Sequence, residues 1–142
     1  IQAEILNVKV KYLDEYNKSR KIMAENYNIA FAKIEQLLTP KVIPNSDHVF
    51  HQYTLRILDG ERDELRSYLN DLGIPTMIYY PKTVAEQTAY QQNSRLGSKI
   101  DISLALTSQT IAFPFHAYLS EMELNEVIEK TNAAIEKLTA SA

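Results

Sequence analysis

Apolar residues recur every three or four positions from the start of the chain to Leu38, which is the spacing of one face of an α-helix. The apolar positions on this face are Ile5, Val8, Tyr12, Tyr16, Met23, Tyr27, Phe31, Ile34 and Leu38. Because no Gly or Pro interrupts the pattern before Pro40, it predicts a helix of about 36 residues that ends there. The alternative is two shorter helices that meet near Asn17, since the apolar face drifts over the polar stretch Asn17–Lys21.

A continuous helix of this length is too long for the rest of the chain to cover. At about 1.5 Å per residue it extends about 55 Å. A compact domain of 142 residues has a diameter of under about 40 Å. The helix must therefore extend beyond its own domain by a couple of turns, or bend sharply. This mismatch predicts that the chain belongs to a larger protein or to an oligomer.

The apolar and polar residues alternate from His48 to Ile57, which predicts a β-strand. One face of this strand carries Val49, His51, Tyr53, Leu55 and Ile57. Since His51 shares the apolar face, the residues alone favour a buried, hydrogen-bonded histidine there. Asp59-Gly60 predicts the turn that follows the strand.

A short amphipathic helix follows, and Gly73 is the predicted stop for it. Its predicted buried face consists of Leu65, Tyr68, Leu69 and Leu72. Ile74–Tyr80 is predicted to be extended and to end at Pro81. Residues 82–99 are polar and irregular, with one helical turn predicted near Gln87.

The C-terminal part of the chain predicts a short helix, a short strand and a long helix. The short helix is Ile102–Gln109, and the strand is Thr110–Phe113, closed by Pro114. Ser120 and Glu123 form a capping box, which marks the start of the last helix. The predicted buried face of that helix carries Leu124, Val127, Ile128, Ile135 and Leu138.

This order of elements predicts an α+β fold, in which a long N-terminal helix and further helices cover a small, mainly antiparallel sheet in one domain over residues 1–142. With 45% hydrophobic residues the chain can build a core. The net charge of −3 argues against nucleic acid or an anionic membrane surface as partners. The absence of cysteine excludes disulfides and thiolate chemistry, and it fits a cytoplasmic protein. No apolar run is long enough to span a membrane.

Motifs for independent catalysis are missing from the sequence. With three glycines in all, phosphate-binding glycine loops are excluded, and no H-E-x-x-H motif occurs. His48 and His51 are a poor metal pair, because residues three apart on a strand face opposite ways. No lysine has the apolar sequence context of a Schiff-base lysine, and Lys82, which comes nearest, follows Pro81 in a polar loop. We therefore expect no catalytic, metal-binding or cofactor-binding residue in this chain.

The segment Ile78-Tyr79-Tyr80-Pro81 places two adjacent aromatic hydroxyl groups at the end of a predicted strand. Adjacent strand residues face opposite ways, so at most one of the two tyrosines can lie in the core. The other either offers its hydroxyl group to a ligand or covers the edge of the sheet. Both interpretations remain open at this stage.

Four segments of the chain, in this order, resemble segments typical of the DegT-type aminotransferases, which use pyridoxal phosphate (PLP). They are Ile1-Gln-Ala-Glu-Ile-Leu6 with Lys11-Tyr-Leu-Asp-Glu-Tyr-Asn17 and Arg20, then His48-Val-Phe-His-Gln-Tyr53, then Gly73-Ile-Pro-Thr76 with Ile78-Tyr-Tyr-Pro81, Gln87 and Tyr90, and finally Phe113-Pro-Phe-His-Ala-Tyr-Leu119. Each segment alone is a weak signal. Four in order over the whole chain are specific.

The resemblance implies that the chain is the small C-terminal domain of a type I PLP-transferase fold. The parent protein would aminate a nucleotide-linked keto sugar with glutamate, as a homodimer, in amino-sugar and cell-surface polysaccharide biosynthesis. The PLP-binding domain would lie upstream of Ile1, so this chain alone is expected to bind no PLP and to be inactive. A related PLP-dependent sugar dehydratase and a standalone interaction or regulatory module are the alternatives.

The resemblance also implies which residues face the nucleotide sugar, namely Tyr79, Tyr80, Lys82 and His51. Tyr79 stands where many members have histidine, and Ala85 stands where many have a second histidine. The second departure puts a phosphate contact from this loop in doubt, unless Lys82 supplies the positive charge.

The same resemblance explains the long first helix, which would link the two domains and lie against the larger one. Without that domain, Ile1, Ile5 and Val8 would be exposed. An apolar patch of this kind favours self-association, so we expect the chain to dimerise or oligomerise through this helix.

Overall fold

The computed structural model describes residues 1–58, 61–91 and 99–141. Its elements in chain order are α1 (Gln2–Lys9), a 3₁₀ turn (Val10–Tyr12), α2 (Leu13–Phe31), β1 (Leu37–Leu38), β2 (Tyr53–Ile57), α3 (Arg62–Asp71), a second 3₁₀ turn (Val84–Glu86), α4 (Thr88–Gln91), α5 (Asp101–Gln109), β3 (Thr110–Phe113) and α6 (Glu121–Ser141). The predicted turn at Asp59-Gly60 lies outside the described residues. Within the described part of the chain, no helix is both long and apolar enough to cross a membrane.

The N-terminal helical region is shorter than the sequence pattern predicts, and it is broken at a different place. It is interrupted by the 3₁₀ turn at Val10–Tyr12, and α2 then runs without a break through Asn17–Lys21, where the alternative placed the meeting of two helices. It ends at Phe31 and not at Pro40. The prediction was wrong there because Leu37 pairs with Ile57 in the sheet and is buried by that pairing. Long-range strand pairing thus overrides a local helical spacing.

The part of the first helix that precedes α2 is uncovered. Neither α1 nor the 3₁₀ turn contains a buried residue. Its exposed apolar side chains are Ile1, Ile5, Leu6, Val8, Val10 and Tyr12. The expectation that Ile1, Ile5 and Val8 are exposed in this chain is therefore confirmed.

The three strands form one antiparallel sheet in the order β1-β2-β3. In β2, Tyr53, Leu55 and Ile57 are buried, and the residues between them are half-buried. Tyr53 pairs with Phe113, and Leu55 pairs with Ile111. This alternation is that of a strand with one face on the core, so the predicted face of β2 is confirmed from Tyr53 onward.

The predicted strand begins five residues too early, because a local turn occupies its first part. The Nδ1 atom of His48 accepts a 3.0 Å hydrogen bond from the backbone N–H of Phe50. Phe50 has a φ of +50°, which an extended strand does not allow. As a consequence His51 and Val49 are exposed, and the expectation of a buried His51 was wrong.

Helix α3 ends as the sequence predicts, but the segment after it does not form a strand. Gly73 has a φ of +78°, which is the left-handed conformation of a helix stop. Leu72 is exposed, although it was predicted to be buried. Of the predicted extended segment Ile74–Tyr80, only Met77 pairs with β3, through an isolated bridge to Ala112.

The core lies between α2, the sheet and the two helices α3 and α6. Around Tyr27 the aromatic rings of Phe31, Tyr53 and Phe113 pack with centroids 4.8 to 6.3 Å away. The capping box predicted at the start of α6 is present, because Glu123 accepts hydrogen bonds from the backbone and hydroxyl of Ser120. The buried residues of α6 are Leu124, Val127, Thr131, Ala134, Ile135 and Leu138. The α+β architecture predicted from the sequence is confirmed.

Candidate functional site

A cavity of about 670 Å³ lies between the segment after Met77 and the corner where α5 meets β3. One wall is the chain from Tyr79 to Ala85, together with Tyr90. The opposite wall consists of Ile100, Ser103, Leu106, Thr107 and Thr110. Most lining side chains are apolar or aromatic, and hydroxyl groups and one amine supply the polar contacts. This composition is typical of a small-molecule site.

Tyr79 and Tyr80 form one rim of the cavity with nearly perpendicular rings. The ring centroids are 6.3 Å apart, and the planes meet at 72°. Tyr79 is 40% exposed and Tyr80 is 75% exposed. The peptide bond between them is cis. Neither ring lies in the core, so both are available to contact a ligand in the cavity.

Lys82 is the one charged side chain among the described residues that line the cavity. It is followed by a tight turn, in which Thr83 caps the 3₁₀ helix and Glu86 closes a capping box. The backbone N–H and the hydroxyl of Thr83 each donate to the Glu86 carboxylate at 2.9 Å. These hydrogen bonds, with the nearby Lys82 charge, hold the pKa of Glu86 below its usual value. The turn fixes the backbone from which Lys82 projects.

Two arginines form hydrogen bonds to the corner between α5 and β3. Arg62 Nη1 donates to the carbonyl oxygens of Thr107, at 3.1 Å, and Thr110, at 3.0 Å. Arg56 donates to the Gln109 side-chain oxygen through Nε, at 3.2 Å, and Nη2, at 2.8 Å. The last carbonyl groups of a helix lack partners within the helix, and a cation near them is favourable.

The structure brings three of the four sequence-predicted substrate residues together and leaves the fourth apart. Tyr79, Tyr80 and Lys82 all line the cavity. His51 lies in a different depression with His48 and the loop before β2. No group of three or more His, Asp or Glu side chains that could hold a metal ion occurs among the described residues.

The cavity wall formed by α5 was not identified from the sequence. Thr107 and Thr110 carry no recognisable motif, and they become neighbours of Tyr79 only through the bridge of Met77 to β3. The sequence signal that could have pointed to this wall is the number of apolar residues in Asp101–Gln109. None of the residues of this helix is buried in the structure. Ile102 and Leu104 are exposed in this structure.

The residues of this chain do not by themselves fit a resident PLP cofactor. A Schiff-base lysine needs a desolvated or cationic environment that lowers its pKa. Every lysine of the chain is exposed or half-buried, and Lys82 is exposed at the cavity rim. No step through PLP is therefore derived from these residues.

Comparison with known proteins gives a consistent set of relatives. A dTDP-3-amino-3,6-dideoxy-alpha-D-galactopyranose transaminase from Aneurinibacillus thermoaerophilus is 30% identical over 93% of this chain and 35% of its own length. A pleiotropic regulatory protein from Geobacillus stearothermophilus is 32% identical over 92% of this chain and 35% of its own length. The chain thus spans about a third of the curated relatives that it matches.

Solved structures share the fold. The crystal structure of S. venezuelae DesV in complex with a ketimine intermediate superimposes with a TM-score of 0.88 at 28% identity, over 95% of this chain and 36% of that protein. Residues 1–132 match the DegT/DnrJ/EryC1/StrS aminotransferase family. The match covers nearly the whole chain, and this protein belongs to that family.

Proposed function

We propose that residues 1–142 are the small C-terminal domain of a cytoplasmic, PLP-dependent aminotransferase. The whole protein transfers an amino group from glutamate to a nucleotide-linked keto sugar, in amino-sugar and cell-surface polysaccharide biosynthesis. The observation that carries this proposal is the family match over residues 1–132, in a chain that spans only about a third of its relatives. The remaining part of the protein holds the cofactor, and this domain is inactive alone.

The cavity is the part of this domain that faces the nucleotide sugar. The Tyr80 ring is largely exposed and offers a flat face to a base or a sugar ring. Lys82 places a positive charge beside it, which suits the diphosphate of the ligand. No carboxylate is among the described lining residues, so no side chain there carries a negative charge that would repel the diphosphate.

His51 has no part in this proposal for the cavity. It is exposed in the depression before β2, and it does not line the wall that Tyr79, Tyr80 and Lys82 share. A contact from His51 to the substrate requires the ligand or the rest of the protein to reach that second depression.

PLP supplies the electron sink for amino-group transfer when it is bound in the remaining part of the protein. The residues of this domain bind and orient the sugar nucleotide and exclude water from one side of it. Their contribution is expected in the Michaelis constant for the sugar nucleotide more than in the chemical step.

Helix α1 and the 3₁₀ turn after it are the proposed contact with the rest of the protein. Their apolar side chains are uncovered in this domain, as a segment that lies against a larger domain requires. Helix α5 has no buried residue either, and its Ile102 and Leu104 are exposed in this domain. The whole protein is a homodimer in this proposal.

The test uses the full-length protein encoded by the gene that carries this chain. We expect an absorbance near about 410 nm with PLP, an adduct trapped by borohydride, and amination of a dTDP- or UDP-linked keto sugar that depends on glutamate. Residues 1–142 alone, as the control, should give neither the absorbance nor the adduct. A full-length protein that consumes the keto sugar without incorporating an amine indicates the dehydratase instead.

An interaction or regulatory module is the second candidate. The observation that favours it is the relative from G. stearothermophilus, which is named a pleiotropic regulatory protein. The uncovered face of α1 would then bind a partner helix. A start codon immediately upstream of the Ile1 codon, together with the absence of PLP binding, would support this candidate over the enzyme.

A further inference from the structure

Arg62 is a buried cation whose hydrogen-bond acceptors belong to the cavity wall. Only 7% of the residue is exposed. Its Nη1 atom donates to the carbonyl oxygens of Thr107 and Thr110, and its Nε atom donates to Asp63 at 2.6 Å. Both threonines line the cavity, whereas Arg62 itself does not. Arg62 therefore contacts the backbone of cavity-lining residues without lining the cavity itself.

Helix α5 depends on such hydrogen bonds because its side chains are at most half-buried. None of its residues is buried, so little apolar surface ties it to the core. At its C-terminal end the backbone is fixed by Arg62, and the side chain of Gln109 is fixed by Arg56. Charge-assisted hydrogen bonds are stronger than neutral ones, and a buried guanidinium needs them to stay satisfied.

We propose that Arg62 is a positioning residue for the nucleotide sugar. It holds the corner between α5 and β3 at the distance from Tyr79 and Tyr80 that gives the cavity its width, and it does not touch the ligand. This inference rests on the proposed function, since it assumes that the cavity binds a nucleotide sugar.

Replacing Arg62 with Met keeps the length and apolar part of the side chain but removes both hydrogen bonds to the corner. The two carbonyl groups then lose their donor, and α5 moves away from the opposite wall. We expect the dissociation constant for the ligand to rise about tenfold. Arg62→Lys keeps a cation that can donate to the same carbonyl oxygens, so it should restore binding to within about threefold of wild type.

The experiment is an NMR titration of residues 1–142 with dTDP-glucose and, separately, with UDP-N-acetylglucosamine, at a temperature where each variant is fully folded. Amide hydrogen exchange of residues 104–111 is measured on the same samples. The matched control is Arg66→Met, which removes an exposed arginine one turn later on the same helix, away from the cavity. Gln109→Ala removes the acceptor of the hydrogen bonds from Arg56, which also hold this corner. This variant tests the inference if Arg62→Met does not fold.

The inference predicts weaker binding and faster exchange at the corner in Arg62→Met and Gln109→Ala, recovery in Arg62→Lys, and wild-type behaviour in Arg66→Met. An Arg62→Met protein that melts earlier but binds as tightly as wild type would overturn it, because Arg62 would then serve stability alone. Equal weakening in Arg66→Met would overturn it in favour of a general charge effect. Failure of the wild type to bind either nucleotide sugar appears before any variant is made. It refutes the proposed role of the cavity, and this inference with it.

Discussion

The hydroxyl group of Tyr27 donates a 3.0 Å hydrogen bond to the backbone carbonyl oxygen of Pro114. This bond joins the C-terminal half of α2 to the residue that follows β3, and the centroid of the Tyr27 ring lies 4.8 Å from that of the Tyr53 ring. Burial raises the pKa of the Tyr27 hydroxyl, so it remains a donor at all physiological pH values. The long helix and the sheet are thus connected by a polar contact inside an aromatic cluster.

Tyr27→Phe removes that donor and leaves the ring packing intact. The carbonyl group of Pro114 then loses this donor in a half-buried position, so we expect the free energy of unfolding to fall by about 1 kcal/mol. Urea denaturation measures the loss. Tyr12→Phe is the control, because Tyr12 is 46% exposed and its ring contact with Tyr16 survives the substitution. Equal stability of Tyr27→Phe and wild type would contradict the prediction.

The capping box of α6 makes the free energy of unfolding depend on pH in the acid range. The backbone N–H of Ser120, and then its hydroxyl, donate to the Glu123 carboxylate and lower its pKa below the usual 4.5. A lowered pKa in the folded state stabilises the protein above the unfolded pKa, and this contribution is lost as the pH falls through the folded pKa. The melting temperature of wild type should therefore exceed that of Glu123→Gln at neutral pH, and the difference should shrink below about pH 4.5.

Glu121→Gln is the charge-matched control for this measurement. Glu121 lies in the same first turn of α6, but Ser120 donates to Glu123. Scanning calorimetry from about pH 7 to pH 3 distinguishes the two variants. A difference between wild type and Glu123→Gln that stays constant over this range would refute the role of the capping carboxylate.

Local features of the fold could be predicted from the sequence, whereas features that depend on distant partners could not. The capping box of Ser120 and Glu123 and the glycine stop at Gly73 are encoded within a few residues, and both are present. The end of α2 was missed because Leu37 joins the sheet through a partner far away in sequence, Ile57. The start of β2 was missed because His48 bonds to a nearby backbone amide and turns the chain.

In the candidate site, too, local features could be predicted from the sequence and features that depend on distant partners could not. The sequence singled out Tyr79 and Tyr80 because they are adjacent aromatic residues at the end of a predicted strand, and the family resemblance implied that they and Lys82 face the substrate. It could not single out Thr107 or Arg62, since neither belongs to a motif and their importance arises only from the packing of α5 against β3. Their role follows from the three-dimensional arrangement alone.

The uncovered face of α1 should make the isolated chain self-associate. We expect light scattering to show dimers or larger species at high protein concentration, and Val8→Glu to shift the population toward monomer, because a charge on the patch opposes its burial. Ile29→Glu is the control, since Ile29 is similarly exposed, at 63% against 59% for Val8, but lies on α2. A clean monomer for the wild-type chain at high concentration would contradict this prediction.

Substitutions at the cavity rim should change substrate binding in the full-length enzyme. Tyr80→Ala removes an exposed ring, and Lys82→Ala removes the charged group of the wall, so each should raise the Michaelis constant for the nucleotide sugar about tenfold with a smaller change in kcat. Steady-state amination kinetics measure both constants. Lys41→Ala is the control for Lys82→Ala, because Lys41 is an exposed lysine outside this cavity. Unchanged Michaelis constants would remove the two residues from the binding site.

An NMR titration of residues 1–142 with dTDP-glucose and UDP-N-acetylglucosamine shows which residues of this domain meet a nucleotide sugar. We expect chemical shifts to change for the backbone amides of residues 79, 80, 82–85 and 100–110, on the two walls of the cavity. Shifts confined to residues 46–54, around His51, would move the site to the other depression. No shift at saturating ligand would contradict the claim that this domain faces the nucleotide sugar.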